Sequence, residues 1–218
     1  MRRFLPYAVI LMVLLLALGI GFIALRHRNQ DVPGLTSSSG SIGATPPHLR
    51  GEQNAPAAIE EFGDFECMPC FILWPAMRNL EKDFGGRLSV TFREFPLPQH
   101  ESAVDAARAA EAAGLQSRFW EMHDLLYLSR SRWVHGGDIR DVFRTFADRL
   151  GIDVARFEKD MDGPEVAKRI AADRERAASL GLDRTPALFL NGRRLQLQND
   201  VETGIHADID AALAKASH

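Results

Sequence analysis

The chain's only two cysteines stand three positions apart, as Cys67-Met68-Pro69-Cys70, and what flanks them limits the fold more than any other feature. Ala57, Ala58, Ile59, Phe62 and Phe65 lead in as an apolar, strand-like run, and Phe71-Ile72-Leu73-Trp74 leads out as a helix-like one. The pair therefore falls at a strand-to-helix junction, where the unpaired N–H groups of a helix's first turn face the side chain that stands there. Pro69 suits that turn, because its missing N–H is not needed. A sulfur at the position of Cys67 is stabilised as thiolate, the form that attacks disulfides.

Two other uses of a Cys-x-x-Cys pair fit less well. Structural zinc takes four ligands. Here there is no second such pair, and His27, His48, His100, His123, His135, His206 and His218 are scattered, so no metal is expected. His100 and His123 read as surface or helix-face residues. A purely structural bridge is the other use, but closing so short a loop removes little entropy from the unfolded chain. Charge excludes a further class: at a net −3 no basic field is present to recruit nucleic acid. Arg and Lys alternate with Asp and Glu along the expected helices, as on solvated faces.

The amino terminus differs in kind. From Phe4 to Leu25 the chain is almost wholly apolar, between Arg2-Arg3 and Arg26-His27-Arg28. About twenty apolar residues span a hydrocarbon core of about 30 Å. A cleavable signal has a shorter apolar region and a small-residue cleavage site. Residues 1–30 therefore read as one uncleaved transmembrane anchor. Residues 31–47, with Val32-Pro33-Gly34, Thr36-Ser37-Ser38-Ser39-Gly40-Ser41 and Pro46-Pro47, read as a flexible tether. A domain is expected over 48–218, with a helical insertion at about 99–163.

Within that domain the expected elements are a strand at Ala57–Phe62, a helix at Cys67–Phe84 and a strand at Leu88–Phe95. Helices follow at 102–113, 117–127, 138–150, 154–161 and 164–180. Asn191-Gly192 then turns the strand Ala187–Leu190 into a second one over 193–197, and a final helix covers about 203–214.

This order, with Cys-Met-Pro-Cys at the first junction and Thr185-Pro186 before the hairpin, resembles the thioredoxin superfamily. The helical block, the phrase Glu61-Phe62-Gly63-Asp64-Phe65-Glu66-Cys67, Phe95-Pro96-Leu97 before an Ala-rich helix, and Pro75 five residues after Cys70 resemble its DsbA-like branch. The resemblance implies an α/β thioredoxin fold carrying an inserted helical domain, preceded here by the membrane helix. It implies that Cys67 is the exposed attacking cysteine and Cys70 the buried resolving one. Pro186 matches the proline whose preceding peptide is cis and which lies against the dithiol. Thr185, Met68 and Pro69 would border the bound substrate, and Glu61 matches a buried carboxylate that moves a proton to or from the resolving cysteine.

The implied activity is thiol–disulfide exchange with cysteine-containing proteins, using the Cys67–Cys70 bridge itself and no bound cofactor. No Gly-x-Gly-x-x-Gly motif is present, so a separate redox partner would have to regenerate the couple. Such chemistry belongs in an oxidising compartment, which places the domain on the periplasmic side of a bacterial inner membrane, held there by residues 4–25. Met68-Pro69 and Thr185 depart from the best-known DsbA pattern and leave the direction of electron flow open. A disulfide donor, a reductase or isomerase, and a tethered binding module or chaperone are the alternatives. Asp64 and Glu66 read as exposed carboxylates beside Cys67, with no flanking lysine or arginine. A potential between about −270 and about −120 mV is expected.

Overall fold

The computed structural model describes residues 41–134, 136–197 and 201–216, all within the unit Leu35–His218. The apolar run 4–25, and with it the anchor, lies outside the described residues, as do 31–40 of the tether. Among the described residues no helix is long and apolar enough to cross a membrane.

The sheet grows from alternating strands. In β3 (Leu88–Glu94), Leu88 and Val90 pack into one core while Arg93, on the opposite face, reaches the carboxylates of Glu60 and Asp173. Strand β2 (Ala57–Gly63) runs parallel to β3, and the connection between them is helix α1 (Met68–Phe84). On its other side β2 pairs antiparallel with β4 (Ala187–Leu190). Asn191 (φ 48°) and Gly192 (φ 80°) then turn the chain into β5, as a two-residue hairpin requires. That strand is only Arg193–Arg194, shorter than expected, although Leu195 N–H still bonds to Leu188 O at 2.8 Å and its side chain is buried in the core.

Strand β1 (His48–Gly51) was not expected. It pairs antiparallel with β3 and completes a mixed five-stranded sheet in the order β1-β3-β2-β4-β5. Four residues of mixed polarity carry no alternation long enough to signal a strand.

Between β3 and α6 (Pro164–Ser179) come α2 (Ala103–Gly114), α3 (Phe119–Leu128), α4 (Ile139–Arg149) and α5 (Val154–Met161), and α7 (Val201–Ala216) closes the chain. Asp138 and Asp153 cap α4 and α5 by accepting backbone N–H groups of their first turns. Ser117 does not start α3. It adopts φ 61°, and Arg118 N–H bonds back to Ala113 O, so the chain reverses there before the helix begins.

Helices α1 and α7 cover one sheet face, where Leu73, Met77, Leu80, Phe84, Ile205 and Ile209 meet Ile59, Val90, Leu188 and Leu190. Ala177 of α6 and Leu182 just beyond it pack with Phe62 and Phe189 on the other. A third core fills the helical block and runs on through Phe92 and Phe65 to both cysteines.

Two expectations change. Residues 41–47, read as the end of the tether, are tied to the domain: Asp173 accepts from Ala44 N–H at 2.7 Å, and Arg93 donates to the carbonyls of Ile42 and Ala44. Not all arginines are solvated, since Arg93, Arg169 and Arg176 are buried with carboxylate partners.

Candidate active site

Cys67 is the N-cap of α1, with Pro69 in the first turn. Its N–H donates to Asp64 O at 3.1 Å and its carbonyl accepts from Phe71 N–H at 3.0 Å, so the β2–α1 turn holds the residue by its backbone. The cysteines are unbridged. Cys67 is 4% exposed and Cys70 fully enclosed, so the expected difference is present but small; Cys67 is far more sheltered than expected. Met68, Pro69 and Ile72 form the accessible rim beside it.

The two sulfurs differ more in chemistry than in exposure. A hydrogen bond from the Cys70 thiol stabilises the Cys67 thiolate and lowers its pKa to about 6, against opposition from burial and the Asp64 charge. Burial, together with that same bond, pushes Cys70 well above the ordinary thiol value. One sulfur is thus an anion near neutral pH and the other keeps its proton.

The loop before β4 closes the site. The Thr185–Pro186 peptide is cis, and the Cys67 thiol lies 3.5 Å from Thr185 O. Thr185 is buried and Pro186 half-buried. Glu61 sits on β2, paired with Phe92 and Leu188 on the neighbouring strands. Burial raises its carboxyl to about 8, helped by the Glu81 charge and opposed by Arg50. Its neighbour Glu60 points the other way, into Arg93 and Arg176. Among the described residues no hydrogen bond joins Glu61 to Cys70. The Tyr127 hydroxyl, buried without a partner, is acted on by both groups.

Two readings of the flanking residues change. Asp64 and Glu66 are buried rather than exposed. Asp64 accepts from Glu66 N–H and Leu97 N–H, each at 2.8 Å, and pairs with His100 Nδ1 at 2.7 Å; Glu66 Oε2 accepts from Ser102 N–H at 2.7 Å. Nor is the site without a nearby cation: Arg130, 63 positions after Cys67, donates from Nε to Glu66 O at 3.1 Å. His123 is no surface residue. It is enclosed by Phe65, Phe92, Trp120 and Tyr127, and burial lowers its pKa to about 4, leaving it neutral. Arg130 escaped the sequence reading because the helical block delivers it, and His100, read there as a surface or helix-face residue, is brought to Asp64 by a loop of prolines. Among the described residues no cluster of His, Cys, Asp or Glu is placed to hold a metal ion.

A Cys-x-x-Cys pair at the start of a helix after the central strand, faced by a cis-proline loop, defines a thioredoxin-type dithiol site. Residues 44–210 match the family described as thioredoxin, and the chain belongs to that family. Its fold is DsbA-like. A thioredoxin-like oxidoreductase from Silicibacter pomeroyi DSS-3 superposes with a TM-score of 0.62 at 23% identity, over 78% of this chain and 92% of that one. Oxidised BdbD from Bacillus subtilis superposes at 0.66 and 19% identity, over 82% and 100%. In sequence, the chain is 40% identical over 153 residues to Na(+)/H(+) antiporter NhaA 1 of Mycolicibacterium gilvum (strain PYR-GCK), covering 67% of this chain and 24% of that protein. The chain thus spans about a quarter of the length of the curated relatives it matches.

Proposed function

We propose that this protein is a membrane-anchored, extracytoplasmic thiol–disulfide oxidoreductase that passes the Cys67–Cys70 bridge to substrate proteins. The observation that carries the reading is the placement of the pair: Cys67 caps α1 with its thiol 3.5 Å from Thr185 O, and Cys70 is enclosed behind it. Burial and hydrogen bonding favour the anion at Cys67 and the proton at Cys70, in keeping with that placement. A substrate thiolate attacks Cys67 in the bridge, and Cys70 departs and takes up a proton. A second substrate thiolate then attacks the substrate's own sulfur in the mixed disulfide, and Cys67 leaves as the stable thiolate. The substrate's sulfurs are oxidised, and the enzyme keeps both electrons until a separate redox partner removes them.

Thr185 O and the peptide beside it would receive the substrate backbone, with Met68 and Pro69 at the rim. Glu61 would exchange a proton with Cys70 through a bridging group, in a region whose field the Tyr127 hydroxyl shares. The antiporter name of the longer relatives belongs to those proteins, whereas the part shared with this chain is of a size to hold the dithiol domain. Membrane attachment rests on the apolar run 4–25, and the periplasmic side on the chemistry.

Reduced, denatured substrate incubated with the bridged protein tests the reading. Oxidised substrate should form in step with loss of the bridge. Cys67→Ser should abolish this, and Cys70→Ser should accumulate mixed disulfides. Substrate binding that persists without either sulfur, with no exchange by the wild type, would instead mean a binding module, and a potential at or below about −270 mV a reductase.

A further inference from the structure

Asp64 and His100 lie outside the exchange steps above, yet they are fixed against them. Asp64 O accepts the Cys67 N–H, so the turn fixes Asp64, three positions earlier in the chain, against the backbone of Cys67. Both carboxylate oxygens are occupied: Oδ1 by Glu66 N–H, Oδ2 by Leu97 N–H and by His100 Nδ1 at 2.7 Å. Asp64 is 1% exposed, while the His100 side chain is 23% exposed and meets solvent. A carboxylate in the protein interior, whose charge acts on Cys67, is therefore joined to water through an imidazole.

We propose that His100 is a positioning residue for the dithiol, which offsets the Asp64 charge when protonated and so links the poise of the Cys67–Cys70 couple to pH. This rests on reading that pair as an exchanging dithiol.

Other titratable and charged groups act on Asp64 or on the turn that holds it. They are Glu94 at the end of β3, Tyr127 on α3, Cys70 on α1, Glu66 in the turn, and Arg130 beyond α3, which donates to Glu66 O. Burial pushes Glu94, Tyr127 and Cys70 toward their uncharged forms. Arg130 stays cationic. The imidazole is the side chain whose charge ordinarily changes between pH 5 and 8.

Reduction places two electrons on the bridge. Cys70 takes one proton, and Cys67 remains an anion above about pH 6. That new negative charge beside Asp64 favours a proton on His100, and by reciprocity a proton on His100 favours the reduced couple.

Two measurements test this. Proton NMR titration of the His100 ring should show about two- to fivefold tighter proton binding in the reduced than in the bridged protein, the range of a partly exposed charge pair. Identical titrations overturn the proposal. Equilibration with glutathione at pH 6 should place His100→Gln about two- to fivefold further toward the bridged form than the wild type, with no difference at pH 8.5. His100→Ala should behave like His100→Gln. A shift of equal size at both pH values, no shift at either, or full rescue by Gln at pH 6 would reduce His100 to a hydrogen-bonding role and sink the proposal. A protein that never equilibrates with glutathione refutes the oxidoreductase reading instead.

Discussion

Cys67 Sγ stands 3.5 Å from Thr185 O, so two residues 118 positions apart share one contact at the mouth of the site. A carbonyl oxygen only accepts, so it suits the protonated thiol. Once the proton is lost, the Cys70 S–H is the largest stabiliser of the thiolate, and the Thr185 hydroxyl adds to it. Ionisation therefore leaves Thr185 in the site and adds Cys70 as a donor.

The first prediction concerns that ionisation. Alkylation of the reduced protein should rise with pH around a midpoint near 6 and modify one thiol per chain at neutral pH. Cys67's pKa is lowered on folding, so its stabilisation of the reduced protein is complete above the ordinary value of 9.0 and is lost as pH falls through about 6. Peptide mapping after brief alkylation checks which sulfur reacts; label on Cys70 would reverse the assignment.

Glu61 has the opposite sign. Its carboxyl keeps its proton in the folded protein up to about pH 8, whereas the unfolded chain loses it above 4.5. Stability is full below 4.5 and is lost as pH rises through 8, by on the order of 5 kcal/mol. Glu61→Gln should remove this loss, so the variant gains on the wild type between pH 5 and 8.5 in urea denaturation. The same variant should slow breakdown of the mixed disulfide formed at Cys67. An unchanged difference in stability across that range would show that Glu61 is not held protonated.

Local chemistry made the central unit legible: apolar alternation, Pro69 in a first turn and Asn191-Gly192 each specify short-range geometry. Glu61 could be singled out only by resemblance, since nothing in Glu60-Glu61 says which carboxylate faces the core. The pairing of strands decides it. The helical block hid most. Its Ala-rich helix reads as a strong helix former, yet Ala106, Ala107, Ala109, Ala110, Ala112 and Ala113 are all at most 1% exposed, buried by partners on every side. The same burial takes in Glu111, an ordinary surface residue to any sequence reading.

Glu111 gives the third prediction. It is fully buried on α2, with Oε2 bonded to Arg169 Nε at 2.5 Å and to His48 Nε2 at 2.9 Å. His48 also stacks on Phe119, its ring centroid 3.5 Å away. The network thus ties the edge strand β1, α2, α3 and α6 together. Removing one partner leaves buried charge uncompensated, and such losses cost about 3–5 kcal/mol. Glu111→Ala should lower stability by that amount in chemical denaturation, while the apolar pair Glu111→Leu/Arg169→Met should recover much of it.

Gly63 closes β2 one residue before Asp64, and its lack of a side chain is a packing requirement. A Cβ placed there would lie 2.4 Å from Phe92 Cε2 and 2.5 Å from its Cζ. Phe92 cannot yield easily. It is 1% exposed and fixed among the rings of Phe65 at 5.3 Å, His123 at 4.8 Å and Phe119 at 6.0 Å. Phe65 stands two residues before Cys67, so displacing Phe92 pushes on the turn that positions Cys67. Overpacking of this kind costs about 1–3 kcal/mol. Gly63→Ala should therefore lower the unfolding midpoint and also shift the pH midpoint of Cys67 alkylation, which a purely global destabilisation would leave in place. Phe92→Leu alone removes ring contacts and destabilises. Combined with Gly63→Ala it makes room for the new methyl, so the double variant should be more stable than the sum of the two single losses. Strict additivity would mean that Gly63 and Phe92 do not meet as described.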